Sequence, residues 1–334
     1  CKFMCSYNPK TNIMRKLSFI LPFISLLFLM SCEKNQAPEV NNIQSLTDTI
    51  VGGSEVIIEV DANDTDEDVL TYLWSANGGE FISSIDSILV IWKAPLSITD
   101  ASYDITVEIA DDEFTVSESL IVTVEGGKFI DMRDDNIYEY VEIGTQTWMA
   151  ENLAYLPSVS PSSEGTDSEI YYYVYDYEGS NITEAKATDY YSTYGVLYNW
   201  EAALLACPNE WHLPSDQEWK NIEVYLGMSE FDADGYEWRR SGDVGKMLKS
   251  TSGWKNNGNG DNLSGFNALP GGAWISDGNF RSIEYVTGFW SSSPAEHAWQ
   301  SLAWSRSLAS HNNGVARWDM FRSYGYSVRC LKDD

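Results

Sequence analysis

The sequence predicts a two-domain fold in which an all-β sandwich precedes a larger α+β domain. Up to about residue 125, apolar and polar residues alternate in short segments, as they do in half-buried strands. Helix signals appear only after Gly126 and Gly127, which predict the domain boundary. A short hydrophobic run that ends at Cys32 stands before both domains and indicates that the chain is exported.

The hydrophobic run extends from Leu17 to Met30 and follows the basic residues Arg15 and Lys16. As a helix it would measure about 21 Å, whereas the hydrocarbon of a membrane is about 30 Å thick, so it is typical of an export signal and not of a membrane span. We expect residues 1–31 to form the signal segment. Residues 1–13 within it are expected to come from a misplaced gene start.

The end of this run, Leu29-Met30-Ser31-Cys32, resembles the lipobox of bacterial lipoproteins. The resemblance implies that Cys32 is lipidated and becomes the first residue of the mature chain, followed by a tether over residues 32–36. Two or three acyl chains would anchor the protein stably in a membrane. The alternative is an ordinary secretory signal with a chance cysteine. The expected location is the cell envelope, on the outer membrane or the cell surface.

The composition is strongly acidic, with 50 Asp and Glu residues against 21 Lys and Arg residues and a net charge of −29. Such a surface repels nucleic acids and anionic lipid headgroups, so neither is an expected partner. An aromatic content of 13% argues against disorder.

The first domain is predicted to cover residues 37–126. Its expected strands are rich in β-branched and aromatic residues and are separated by Gly-Gly, Asn-Gly and Asp-Asp turns. These strands are 54–60, 70–74, 88–92, 103–109 and 120–124. Several short strands within about 90 residues are typical of a β-sandwich.

The stretch from Asp61 to Trp74 resembles PKD and related bacterial Ig-like repeats, in which an acidic turn precedes a Leu-Thr-Tyr-x-Trp strand. The resemblance implies an Ig-like sandwich with Trp74 packed between its sheets, serving as a spacer or a binding platform.

The same acidic turn is a candidate calcium site. Hard cations prefer six to eight oxygen ligands, and the turn concentrates side-chain oxygens in one loop. The candidate ligands are Asp61, Asn63, Asp64, Asp66 and Asp68. The alternative is a solvated acidic turn without a cation, and the EF-hand pattern is not met.

In the second domain, residues 127–334, Ser215 and Glu218 form a capping box at the start of a helix that Gly227 can end. Further predicted elements are a buried helix over 197–206, a short helix over 243–249, strands over 288–293 and 326–331, and a long surface loop or hairpin over 157–188.

Cys207 and Cys330 are the two cysteines left in the predicted mature chain beyond Cys32. In an oxidising compartment they predict one disulfide, and two free buried thiols are the alternative.

Several motifs occur in order through this domain: Gly144-Thr145-Gln146-Thr147-Trp148, Cys207-Pro208-x-x-Trp211-His212-Leu213-Pro214, Gly265-Phe266-Asn267-Ala268-Leu269-Pro270-Gly271-Gly272 and Gly325-Tyr326-Ser327-Val328-Arg329-Cys330. Together they resemble the Fibrobacter succinogenes major paralogous domain of bacterial surface lipoproteins. That family is similar to the C-type lectin-like fold, in which a disulfide commonly ties a helix end to the last strand. The resemblance implies this fold and agrees with a Cys207–Cys330 bond, but it implies no activity.

The loop after Gly253 is the candidate ligand site. It places an aromatic residue beside amide and carboxylate groups, as sugar-binding sites do. The candidate residues are Trp254, Asn256, Asn257, Asn259, Asp261 and Asn262. The alternative is an Asn- and Gly-rich turn with no ligand.

No catalytic constellation is evident in the sequence. The histidines His212, His297 and His311 lack zinc-ligand spacing, and Ser215 is already assigned as a helix cap. The expected function is therefore the display of a non-catalytic binding domain for a glycan or a protein on an Ig-like stalk. A glycan-active or formylglycine-type enzyme and a purely structural envelope protein are the alternatives.

Overall fold

The structure is a computed structural model that describes residues 34–295 and 301–333. The described part is mostly β-sheet, as predicted. The export signal, Cys32 and His297 lie outside the described residues. Among the helices that the structure describes, none is long and apolar enough to cross a membrane.

The N-terminal part of the chain forms two β-sheets. Its strands are β1 (Glu39–Ser45), β2 (Thr49–Gly52), β3 (Glu55–Asn63), β4 (Thr71–Ala76), β5 (Glu80–Phe81), β6 (Leu89–Lys93), β7 (Ala101–Ala110) and β8 (Thr115–Asp131). One sheet has the strand order β1-β3-β6-β5. In the other, β4, β7 and β8 pair in that order, and β2 runs parallel to β8.

Both sheets contribute to one apolar core. Ile105, Val107 and Ile109 on β7 are buried because alternate residues of a strand point to the same face. Trp74 on β4 is 2% exposed, packs in this core, and donates its indole N–H to the Ser87 carbonyl oxygen at 2.8 Å. The prediction that Trp74 packs between the sheets is confirmed.

At the predicted domain boundary the chain does not leave the sheet, because β8 continues through Gly126 and Gly127. The pairing with β2 shifts register there, so that Val51 faces Glu125 and Gly52 faces Phe129. A Cβ on Gly126 would lie 2.2 Å from a backbone atom of Thr99, so only glycine fits. The boundary glycines therefore form a bulge within a paired strand and not a linker.

The rest of the chain alternates short strands and helices. In order they are β9 (Asn136–Ile143), β10 (Gln146–Met149), β11 (Tyr172–Tyr173), α1 (Ile182–Lys186), α2 (Asp189–Tyr194), β12 (Leu197–Tyr198), α3 (Trp200–Ala206), β13 (Trp211–His212), α4 (Asp216–Tyr225), α5 (Glu230–Ala233), β14 (Glu237–Arg239), α6 (Val244–Leu248), β15 (Ala273–Ile275), β16 (Asn279–Arg281), β17 (Val286–Ala295), β18 (Leu302–Ala309), β19 (Val315–Phe321) and β20 (Leu331–Lys332). Strands β9, β10, β20 and β13 extend the sheet of β8, and β14-β19-β18-β17 form a separate sheet.

Helix α4 confirms the predicted capping box. The Ser215 hydroxyl accepts from the Glu218 backbone N–H at 3.2 Å, and the Glu218 carboxylate accepts from the Ser215 backbone N–H at 2.6 Å. Trp219 and Ile222 bury the inner face of the helix. Gly227, with a φ of +107°, follows its C-terminus as predicted.

The predicted helix over 197–206 is shorter than expected, because Leu197 and Tyr198 pair with β11 as strand β12. Asn199 begins the helix instead, since its side-chain oxygen accepts from the Ala202 backbone N–H at 3.2 Å. The short helix predicted near residue 244 is present as α6, and the predicted strand over 288–293 is present within β17.

Two other predictions are wrong in part. Most of residues 157–188 lies in irregular, exposed or half-buried loops, as predicted, but Tyr173 and Val174 are completely buried and α1 lies in this segment, so the prediction is wrong for these parts. The last predicted strand is reduced to β20, because residues 326 and 327 make only isolated bridges. Buried tyrosines resemble polar loop residues when composition alone is considered, and this explains the first error.

Cys207 and Cys330 form the predicted disulfide, with 5.8 Å between their Cα atoms. It joins the end of α3 to the segment before β20. Arg133 donates to the carbonyl oxygens of Ala206 and Cys207 at 2.8 and 3.2 Å and is paired with the buried Asp131. Because both thiols are used in this bond, they are not free for formylglycine-type oxidation.

Candidate ligand-binding groove

A cavity of about 630 Å³ lies between the β9–β10 turn and the helices α4 and α5. We call it the helix groove. It is lined by Ile143, Gly144, Thr145, Gln146, Gln217, Lys220, Asn221, Val224, Tyr225, Glu230, Ala233 and Asp234.

One wall of the groove is the tight turn between β9 and β10. Ile143 pairs with Gln146, so the turn contains only Gly144 and Thr145. Gly144 has a φ of +68°, which a glycine adopts at little cost at the first central position of such a turn. A Cβ here would lie 3.0 Å from the ring of Tyr225, so the absent side chain lets that ring rest against the turn.

Tyr225 is the aromatic residue in the groove lining. It ends α4 and is 66% exposed. One part of the ring is supported by the turn and the rest is open to solvent. An exposed aromatic surface of this kind is apolar on its faces and carries a hydroxyl at its tip.

Side-chain amides line the groove next to this ring. Gln217 and Asn221 lie one turn apart on α4, and the Gln217 amide donates to the Asn221 oxygen at 3.0 Å. Gln146 lies on the opposite wall. Each amide carries both a donor and an acceptor group, so the three can recognise hydroxyl groups in either role.

Lys220 and Asp234 form an ion pair across the groove floor. The Lys220 ammonium group lies 2.5 Å from Asp234 and 3.2 Å from Asp216. Hydrogen bonding and the charge of Lys220 lower the pKa of Asp234, which therefore stays ionised at neutral pH.

Below the groove, a buried ionic network fixes the position of α4. Asp216 pairs with Arg306 and Arg317 at 2.8 and 2.7 Å, and Glu223 pairs with Arg239 and Arg306 at 2.7 Å each. Burial opposes ionisation of Asp216, but hydrogen bonds and charges from Arg317 and Arg306 outweigh it and hold its pKa well below the usual range. The groove is therefore built on a helix held by charged hydrogen bonds and not on a free loop.

The predicted ligand loop has a different role. Trp254 is 5% exposed, and its indole N–H lies 3.1 Å from both the Ser250 hydroxyl and the Ala268 carbonyl oxygen. Its ring is therefore part of the core and does not offer the exposed face that the hypothesis requires. This part of the prediction is wrong, because buried tryptophans and sugar-binding tryptophans look the same in sequence.

The polar residues of that loop bond mainly within their own region. Asn259 accepts from the Trp254 backbone N–H, Asn262 accepts from the Asn267 backbone N–H, and Asp261 pairs with Lys246 at 3.1 Å. Asn256 and Asn257 have φ near +57°, as in a turn. A ligand at these five residues stays a prediction.

In the acidic turn, Asp64 accepts from the backbone N–H groups of Asp66 and Asp68. Desolvation and then the charges of Asp64 and Asp111 raise the pKa of Asp68. Asn63 accepts from Asn41, and Asp61 is exposed.

Across residues 34–295 and 301–333, no group of three or more His, Cys, Asp and Glu residues is arranged to hold a metal. Calcium binding here stays a prediction.

Sequence reasoning missed the groove residues. The available signal was the outer face of α4, where Gln217, Asn221 and Tyr225 recur every four residues after the capping box. That pattern shows that they share one helix face, but only the fold reveals that the Gly144 turn faces it.

Among curated proteins, the chain is similar to chitinase A of Pseudoalteromonas piscicida, with 30% identity over 90 residues, which is 27% of this chain and 11% of the chitinase. The match therefore spans about a tenth of that relative.

Similar solved structures include the Yersinia pseudotuberculosis adhesin InvE, with 10% identity, coverage of 87% of this chain and 70% of that chain, and a TM-score of 0.25. A nucleoside hydrolase-related hypothetical protein from Saccharophagus degradans, associated with carbohydrate metabolism, has 21% identity, coverage of 28% and 26%, and a TM-score of 0.21. Human Protocadherin-24 EC1-2 has 24% identity, coverage of 28% and 44%, and a TM-score of 0.22.

The family comparison covers the part of the chain that builds the groove. Residues 141–332 match the model of the Fibrobacter succinogenes major domain (Fib_succ_major), which agrees with the family that the sequence motifs indicate. This match extends over more than half of the chain, and the protein therefore belongs to the Fibrobacter succinogenes major domain family.

Proposed function

We propose that the protein is a non-catalytic binding protein of the cell envelope and that the helix groove binds a glycan. The observation that carries this proposal is the exposed ring of Tyr225 beside the amides of Gln146, Gln217 and Asn221. Sugars present apolar C–H faces and a rim of hydroxyl groups. An aromatic face and planar amides satisfy both features at once.

The size and the support of the groove agree with this ligand class. A volume of about 630 Å³ lies within the usual range for small-ligand sites. The amides lie on a helix and a strand, so little ordering is needed when a ligand binds.

The rest of the chain is proposed to display this groove. The N-terminal sheets would act as a PKD/Ig-like stalk, and the C-terminal region would adopt a C-type lectin-like fold. Lipidation of Cys32 would hold the stalk on the outer membrane or the cell surface. Mass spectrometry of the protein from membranes tests the anchor, and an N-terminus other than lipidated Cys32 would contradict it.

A glycan array tests the binding proposal. The purified protein is expected to bind a defined set of glycans, and Tyr225→Ala is expected to lose that binding. Tyr285→Ala is the matched control, because Tyr285 is 43% exposed and lies outside the groove. Absence of any array ligand, or equal losses in both variants, would contradict the proposal. Capture of a protein partner instead would favour the predicted alternative target, and release of sugar products would favour an enzyme.

A further inference from the structure

A second cavity, of about 310 Å³, shares no lining residue with the helix groove. We call it the arginine pocket. It lies between β9, the C-terminal end of α2 and the segment around residue 267. Its lining consists of Asn136, Ile137, Tyr138, Ala150, Glu151, Asn152, Ala154, Tyr191, Ser192, Thr193, Tyr194, Gly195, Asn267, Leu269 and Arg329.

Arg329 lines this pocket although the residue is 1% exposed. Its Nε donates to the Asn152 side-chain oxygen at 2.9 Å, and its Nη1 donates to the carbonyl oxygens of Met149 and Phe266 at 3.1 and 2.6 Å. Its Nη2 donates to the Asn267 carbonyl oxygen at 3.0 Å. Every one of these acceptors is neutral.

Arg329 is therefore a buried cation with no carboxylate in direct contact in the described part of the chain, and the charge of Glu151 acts on it only from a longer distance. Within residues 34–295 and 301–333, no carboxylate lies within 4.0 Å of it, and one of the two N–H groups on Nη2 has no acceptor. This differs from Arg239, Arg306 and Arg317, each of which meets a carboxylate at 2.7 or 2.8 Å. Burial lowers the pKa of Arg329 to about 9, so the group still carries its charge at neutral pH.

The pocket rim is rich in neutral hydrogen-bonding groups and carries one acid. Ser192 and Thr193 are exposed on α2, and Asn136 lies opposite them. Glu151 accepts from the Glu139 backbone N–H at 3.3 Å through one oxygen, and its other oxygen has no partner among the described residues. The ring of Tyr194 stacks on Tyr190 with 6.3 Å between centroids.

We propose that the arginine pocket binds an acidic sugar, with the ligand carboxylate at Arg329 and a ligand hydroxyl donating to Glu151. A ligand carboxylate accepts from the one Nη2 N–H of Arg329 that has no acceptor and places a negative charge next to the guanidinium group. The second carboxylate, at Glu151, repels a bare anion but accepts from a hydroxyl. A ligand that carries both groups on one ring, such as a uronic acid, therefore fits better than a simple carboxylate.

This inference does not depend on the helix groove, because the two cavities use different residues. The test is calorimetric titration of the full chain with glucuronate, glucose and acetate. Glucuronate is expected to bind about tenfold or more tightly than either of the others, since only it supplies both charge-assisted contacts. Equal affinity for acetate would overturn the sugar assignment, and no binding of glucuronate at millimolar concentration would overturn the proposal.

Three variants test the site without removing the buried arginine. Thr193→Trp places a large side chain at the exposed rim and is expected to abolish glucuronate binding, whereas Ser276→Trp, at an exposed position outside the pocket, is expected to leave it unchanged. Glu151→Gln removes the negative charge that repels a bare anion and that accepts from the ligand hydroxyl, and it is expected to reduce the advantage of glucuronate over acetate about threefold. Unchanged affinity in Thr193→Trp would overturn the proposal.

Discussion

The N-terminal sheets and the C-terminal region are stabilised in different ways. The N-terminal core is built from apolar residues on alternating strand positions, such as Ile105 and Val107. The C-terminal region instead buries Glu223, Arg306 and Arg329 together with their partners and adds a disulfide. Polar residues in the second region are therefore often internal partners of the fold.

This difference changes how a candidate site is recognised. In the loop around Trp254, amides and an aromatic ring lie together but bond to their own region. On α4, Gln217, Asn221 and Tyr225 lie on the outer face of a helix whose inner face is already buried. The proposed site therefore differs from the loop in its position on an outer helix face, although Gln217 also donates to Asn221 there.

The largest expected effect comes from breaking the buried network. Glu223→Ala would leave Arg239 and Arg306 without their shared carboxylate, and we expect a loss of about 3–5 kcal/mol in the free energy of unfolding. Urea unfolding measures this loss. The exposed Glu108→Ala, in the N-terminal sheets, is the control and is expected to change stability by less than about 0.5 kcal/mol. Similar losses in the free energy of unfolding for the two variants would contradict a special role of the buried ionic network in the C-terminal region.

Reduction of the Cys207–Cys330 bond is expected to be nearly as costly. The bond closes a loop with a sequence separation of 123 residues, and loss of a native disulfide typically costs about 2–5 kcal/mol. Thermal unfolding with and without reductant, followed by a C-terminal and an N-terminal probe, tests this. If the reductant lowers the thermal midpoint only for the N-terminal probe, the result would contradict a stabilising role of this bond in the C-terminal region.

A conservative substitution in the apolar core tests how the N-terminal sheets are stabilised. Ile105→Val on β7 removes one methylene from a completely buried side chain, and we expect a loss of about 1 kcal/mol. This loss should not depend on pH, because apolar residues surround the site. A strong pH dependence measured by chemical denaturation would show that charge also stabilises the N-terminal core.

The smallest effect is expected at His212, which lies 2.6 Å from Asp333 and 3.1 Å from Glu218. Partial burial opposes its charge, but the hydrogen bonds that its ring donates to these two carboxylates raise its pKa above the usual value. Its contribution, at most about 1 kcal/mol for such a partly exposed pair, is fully present below the unfolded-state pKa and is lost as pH rises through the folded-state pKa.

Unfolding free energies of the wild type and His212→Gln, measured from pH 5.5 to 9, test this pH dependence. The two proteins should differ most at pH 5.5 and converge at the alkaline end. A difference in unfolding free energy that grows with pH would contradict a raised pKa of His212 in the folded state.

Strands β3, β4, β6, β7 and β8 of the N-terminal sheets could be predicted because alternation and turn residues are local signals, whereas β1, β2 and β5 were not predicted. The capping box at Ser215 and the cysteine pair were predictable for the same reason. The burial of Tyr173, the strand that replaces the start of the predicted helix at Leu197, and the role of Trp254 depend on distant partners. The groove also joins Gly144 and Tyr225, which are 81 residues apart in the sequence, and no local pattern encodes that approach.

We propose that the helix groove, and not the loop around Trp254, binds the glycan. Amide chemical-shift mapping with the tightest array ligand tests this proposal. We expect the largest shifts on Gly144, Gln146, Asn221 and Tyr225 and little change at Asn256 and Asn259. Shifts concentrated on the loop, with the groove unchanged, would contradict it.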